Sequence, residues 1–86
     1  MDMNAYQAAA KETAVFPPDQ GIVYTALGLA SEAGEVADKV KKAIRDKDSV
    51  FSDEVRESIK KELGDVLWYV SGLACELGYS LDEVAA

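Results

Sequence analysis

Hydrophobic positions recur at helical spacing over two long stretches of this chain. In the first, Ile22, Leu29, Val36, Val40 and Ala43 share a stripe with Ala26, Ala33 and Ala37. In the second, Val55, Ile59, Leu63, Val66, Val70, Leu73 and Leu77 do the same. Such stripes bury against other helices. Asp19 caps the first predicted long helix, from about Gln20 to Arg45, which ends in the cations Lys39, Lys41, Lys42 and Arg45. Asp46 to Phe51 is a polar connection. Ser52 caps the second long helix, with Asp53 and Glu54 in its first turn and Gly78 as its stop after Leu77. A shorter alanine-rich helix is predicted over Ala5 to Val15, with Asn4 as its cap and Phe16-Pro17-Pro18 ending it. Ser80-x-x-Glu83 is a capping box that opens a last helix shortly before Ala86. The expected fold is therefore all-α: an antiparallel hairpin of two long helices, a short N-terminal helix and the start of a C-terminal one. Residues 1–86 read as one domain.

Composition narrows the chemistry. A lone core is marginal at 86 residues. Two long helices and a short one do not cover both apolar stripes, so self-association into a helical-bundle oligomer is expected. The 49% of hydrophobic residues argues against disorder. A net charge of -7 argues against a nucleic-acid partner and suits a cation-binding protein, although it is also an ordinary solubility charge. The sequence has one cysteine and no histidine. That rules out a disulfide framework within the chain, the usual nitrogen or sulfur zinc sites and any histidine general base. No segment reads as a signal peptide or a membrane span, so a cytoplasmic protein is expected.

One phrase occurs twice. Glu32-Ala33-Gly34-Glu35-Val36 returns as Glu62-Leu63-Gly64-Asp65-Val66. Each copy sets two carboxylates three residues apart, on one helix face. Glu32 and Glu62 fall at the edge of their stripes; Glu35 and Asp65 fall one step further round. In a hairpin folded between Asp48 and Ser49, Glu32 is level with Asp65 and Glu35 with Glu62. Four converging carboxylates would raise one another's pKa values, and a hard divalent cation would relieve them. Gly34 and Gly64 are costly inside a helix, by about 1 kcal/mol each, and close helix approach is the expected reason for them. The competing reading is a solvated acidic face, which single Glu-x-x-Glu patterns usually are.

The run Gly28-Leu-Ala-Ser-Glu-Ala-Gly-Glu-Val36, followed by Lys61-Glu-Leu-Gly-Asp-Val-Leu-Trp-Tyr69, resembles the MazG-like nucleoside triphosphate pyrophosphohydrolases, over roughly residues 21–86. The family signature is Glu-x-x-Glu, a variable gap, then Glu-x-x-Asp. The resemblance implies an all-α fold with Glu32, Glu35, Glu62 and Asp65 as magnesium ligands and catalytic residues, with manganese as a possible substitute. It implies hydrolysis of nucleoside triphosphates to monophosphates and pyrophosphate, often in housecleaning of the nucleotide pool, by a homodimer or homotetramer. It also implies a substrate contact by Tyr69, whose other reading is a core aromatic with a polar tip. Lys39 would reach a phosphate or pair with Glu35 one turn away. Trp68 reads as core or interface and Cys75 as a small buried hydrophobe.

Many family members continue past the position of Ala86 with a helix bearing an asparagine and basic residues. The expectation is either a short subunit or a truncated sequence, with a partner subunit completing the pocket. The enzymatic alternative is a related phosphoribosyl-ATP or dUTP/dCTP pyrophosphatase. The alternative from another class is a non-catalytic helical interaction module.

Overall fold

A computed structural model describes residues 2–86. Four helices carry the fold: α1 Met3–Glu12, α2 Gly21–Asp46, α3 Asp53–Leu77 and α4 Leu81–Ala85, with a 3-10 turn at Pro18–Gln20 ahead of α2. No strand occurs among the described residues, and no helix among them is long and apolar enough to cross a membrane. The largest interface is α2 on α3; α1 lies against α3 and α4. Gly21 meets the Glu76 side chain, Thr25 meets Gly72, and Gly28 meets the Tyr69 ring. Each step forward along α2 is thus a step back along α3.

Most local signals act as the sequence predicts. The Ser52 hydroxyl accepts from the Val55 N–H at 3.3 Å. Gly78 stops α3 in the left-handed region at φ 84°, and the Tyr79 N–H reaches back to the Ala74 carbonyl at 2.9 Å. The capping box of α4 is complete: the Glu83 N–H donates to Ser80 Oγ at 3.2 Å and the Ser80 N–H to Glu83 Oε1 at 3.0 Å. The hairpin turns at Asp48 and Ser49, both in the left-handed region at φ 53° and 60°.

Helix α1 departs from expectation at both ends. Its cap is Asp2, whose carboxylate accepts from the Ala5 N–H at 2.7 Å. Asn4 instead binds the far end of the chain, donating to Asp82 Oδ2 at 3.0 Å and accepting from the Asp82 N–H at 3.3 Å. The helix ends at Glu12 rather than Val15. There the Thr13 hydroxyl donates to the Ala10 carbonyl at 2.8 Å and accepts from the Trp68 indole at 3.0 Å. Helix α2 begins after its 3-10 turn without a side-chain cap, so Asp19 does not play the expected part.

The buried residues are Gln7, Ala10, Gly21, Thr25, Ala43, Ser71, Ala74 and Leu81. Gln7 works as a clasp: its amide donates to the Tyr79 carbonyl at 2.9 Å and accepts from the Leu81 N–H at 3.1 Å. The predicted stripes are only partly covered. Leu29, Val36 and Val40 are half-buried, while Ala26, Ala33 and Ala37 are exposed, as is Ile22 at 50%. On α3, Leu63 and Leu77 are likewise exposed. Helix α2 turns Gly21, Thr25 and Gly28 toward α3, one side of its apolar stripe, so the stripe is wider than the contact.

The glycines need correction too. A side chain at Gly34 or Gly64 would meet open space, so neither permits a close approach within the chain. The close approaches fall at Gly21, Gly28 and Gly72 instead; a Cβ at Gly72 would lie 3.3 Å from Thr25 Cγ2.

Candidate metal centre

Midway along the hairpin, α2 delivers Glu32 and α3 delivers Glu62 and Asp65. One carboxylate oxygen from each lies within 4.8 Å of the others. Glu32 and Glu62 are half-buried and Asp65 is exposed. Helical spacing explains the pairing on α3, since residues three apart share a face. The antiparallel packing supplies Glu32 from the other arm. A groove of about 340 Å³ opens there, lined by Glu32, Asp65, Trp68 and Tyr69.

The cluster strains its own charge. Partial burial pushes the Glu32 carboxyl above its ordinary value, and the negative charges of Asp65, Glu62 and Glu35 push it further. Tyr69 is also raised, by burial first, then by Tyr24 and by the carboxylates Glu32 and Asp65. Its phenol therefore keeps its proton and remains a donor at neutral pH. Tyr6 of α1 is raised by burial and by Asp65.

No lysine or arginine among the described residues forms an ion pair with this cluster. Lys41 and Lys42 pair with Asp38, at 3.2 and 2.8 Å, and Arg45 pairs with Asp46 at 2.7 Å. Lys42 and Lys41 accordingly hold the Asp38 carboxyl below its ordinary value. Donors that are all oxygen and mutually repelling, with no protein cation beside them, fit a hard divalent ion such as magnesium or manganese.

Two predicted site residues lie apart. Glu35 is exposed and outside the close group of three, although its charge still acts on Glu32. Lys39 forms no ion pair with Glu35; it lines a separate groove near the hairpin turn with Lys42, Lys47, Glu54 and Ser58. Tyr69 does border the acids, and so does Trp68, which is half-buried.

Sequence reasoning missed the aromatic surround and the glycine that seats it. Phe16 stacks on Tyr24 at 5.4 Å between ring centroids, Tyr24 tilts against Tyr69 at 6.5 Å, and Trp68 meets Tyr69 edge-on at 5.0 Å. Gly28 provides the floor, because a Cβ there would overlap the Tyr69 ring. The available signal was spacing: Gly28 lies one helical turn before Glu32 on the same face.

Carboxylates carried to one point by the two arms of a helical hairpin define a class, an all-α domain with an acidic centre suited to a divalent cation. Residues 20–86 match the MazG nucleotide pyrophosphohydrolase domain, and the chain belongs to that family. Helix α1 precedes the matched stretch. The chain is also 46% identical over 90 residues to the Gene 37 protein of Mycobacterium phage L5, an alignment covering 98% of this chain and 79% of that protein. No solved structure matches it significantly.

Proposed function

We propose that the protein is a magnesium-dependent nucleoside triphosphate pyrophosphohydrolase that releases a monophosphate and pyrophosphate. The observation that carries this reading is the meeting of Glu32, Glu62 and Asp65 within 4.8 Å, inside the stretch that matches the family. Glu32, Glu62 and Asp65 hold the cation. Glu35, whose charge already acts on Glu32, supplies a fourth carboxylate. A bound divalent cation neutralises phosphate charge and stabilises the leaving pyrophosphate. Water attacks the α-phosphorus, the bond to the bridging oxygen breaks, and pyrophosphate departs. One of these carboxylates, or a neighbouring one, accepts the proton from that water. Tyr69 donates a hydrogen bond to the substrate beside the acids. Lys39 lines the groove near the hairpin turn instead and is not assigned to this pocket.

The same reading includes a homo-oligomer. The radius of gyration is 14.8 Å, against about 12 Å for a compact domain of this length. Leu27, Ile44 and Leu63 are exposed at 66%, 59% and 53%, and a second copy would cover them. A mass in solution equal to one chain contradicts this part. The biological setting we assign is housecleaning of a cytoplasmic nucleotide pool.

The decisive experiment incubates the protein with a panel of ribo- and deoxyribonucleoside triphosphates and magnesium, and measures pyrophosphate. Release that stops when magnesium is chelated supports the reading. No pyrophosphate from any nucleotide overturns it.

A further inference from the structure

A tyrosine on a helix has more than one rotamer open to it, so the place of the Tyr69 ring beside the acids needs a cause. Its seat is Gly28 of α2, where a Cβ would overlap the ring. A bare glycine makes room for a ring but gives it no side wall. Two neighbours supply the walls. Trp68 meets the ring edge-on at 5.0 Å between centroids, and Tyr24 meets it at 6.5 Å with the planes 38° apart. Both separations lie in the range where aromatic pairs attract.

Each wall is held in turn by the segment after α1. The Trp68 indole donates to Thr13 Oγ1 at 3.0 Å. Phe16 stacks on Tyr24 at 5.4 Å between centroids, with the planes 23° apart. Thr13 and Phe16 both precede the stretch that matches the family.

Tyr24, Gly28 and Glu32 follow one another at single-turn intervals on α2. The Tyr69 ring, seated on the middle one, has an aromatic wall to one side and a carboxylate to the other. The charge around its phenol agrees: burial raises its pKa most, then Tyr24, then Glu32 and Asp65. Tyr24 itself does not line the acidic groove.

We infer that Tyr24 is a positioning residue of the site: it confines the Tyr69 ring to its seat on Gly28, so that the phenol faces a substrate held at the acids. The inference rests on the reading of Tyr69 as a substrate contact and adds a residue that acts through it.

Kinetics test the second half of that statement. Tyr24 is 43% exposed, so truncating it leaves the core intact. KM and kcat are measured with magnesium across the panel of ribo- and deoxyribonucleoside triphosphates. Tyr24→Ala raises KM about tenfold and changes kcat by less than about threefold. Tyr24→Phe keeps the ring and restores the parent KM. In a Tyr69→Phe background Tyr24→Ala adds nothing further, because the hydroxyl it would misplace is already gone. A full additional rise there, or a parent-like KM in Tyr24→Ala, overturns the inference.

The first half needs no activity. Trp68 is the only tryptophan, so its ring current marks the Tyr69 ring signals in an NMR spectrum of the metal-free chain labelled at tyrosine. Tyr69→Phe identifies those signals by their loss. Tyr24→Ala moves them toward the values of a free tyrosine, and Tyr24→Phe does not. Signals unmoved by Tyr24→Ala overturn the inference, and observed hydrolysis then leaves the catalytic reading standing. Moved signals in a chain that hydrolyses no triphosphate remove the catalytic reading and leave Tyr24 as the residue that seats the ring.

Discussion

The two halves of the hairpin are built differently. Near its open end, α1 and α4 close over α3, and seven of the buried residues gather there: Gln7, Ala10, Gly21, Thr25, Ser71, Ala74 and Leu81. Near the turn at Asp48 and Ser49, Ala43 alone is buried, while Ile44, Val50 and Phe51 are exposed. One half is a small domain core fastened by the Gln7 clasp; the other is a pair of helices with apolar flanks. Glu32, Glu62 and Asp65 lie where the first gives way to the second. The packed half can hold the carboxylates in place, while the thinner half leaves them open to a substrate. Self-covering and openness are thus divided along one hairpin.

Changes at the seam separate function from packing and carry the largest expected effect. Glu62→Gln or Asp65→Asn lowers pyrophosphate release by at least about 100-fold. Neither lowers the unfolding midpoint of the metal-free chain, because each removes a repelling charge. A midpoint that falls with activity would mean that these acids are structural.

Matched truncations test the halves themselves. Leu81→Ala, at a residue 3% exposed, costs about 2–4 kcal/mol in urea unfolding. Ile44→Ala, at a residue 59% exposed, costs about 0.5 kcal/mol or less when unfolding is measured on dissociated chains. Equal costs would erase the contrast.

Two glycines sharpen it further. Gly64→Ala meets open space and gains helix propensity, so it stabilises by about 0.5–1 kcal/mol in the same urea experiment. Gly28→Ala pushes on the Tyr69 ring and destabilises despite the same gain in propensity. A destabilising Gly64→Ala would show that this face is covered, most simply by a second copy.

The smallest effect is on pH dependence. Glu32 has a raised pKa in the folded state, so the fold binds its proton more tightly than the unfolded chain does. That contribution is complete below the ordinary glutamate value and is lost as pH rises through the raised one. The metal-free chain is therefore expected to gain stability as pH falls from 7 toward 5, and Glu62→Gln should flatten that slope. Asp38 and Asp46, whose values are lowered, act in the opposite sense and at lower pH.

What the sequence revealed, and what it hid, follows from how local each signal is. Ser52, Gly78 and the Ser80–Glu83 box act within a single turn, and each works as its residue type dictates. The level of Glu32 with Asp65 followed from chain length and the position of the turn. The signals that failed depend on the other end of the chain. Asn4 has the chemistry of a cap but is drawn to Asp82, and Thr13 ends α1 early beneath Trp68. Gly34 and Gly64 drew notice because they sit inside the repeated phrase. Contact is decided by helix face, however, and the face turned inward carries Gly21 and Gly28. Glu35 repeats the spacing of Asp65 but falls outside the close group of carboxylates, so a shared motif did not give a shared position. The orphaned Ser71 hydroxyl has no sequence signature, since only packing shows that it lacks a partner.

The central claim is that the seam holds a divalent cation. Thermal unfolding with and without several millimolar magnesium tests it directly, because a ion bound only by the folded state must raise its stability. The account predicts a higher midpoint for the parent chain in magnesium and no such rise in a Glu62→Gln, Asp65→Asn double variant. A parent midpoint unmoved by magnesium, or raised equally in the double variant, would contradict it.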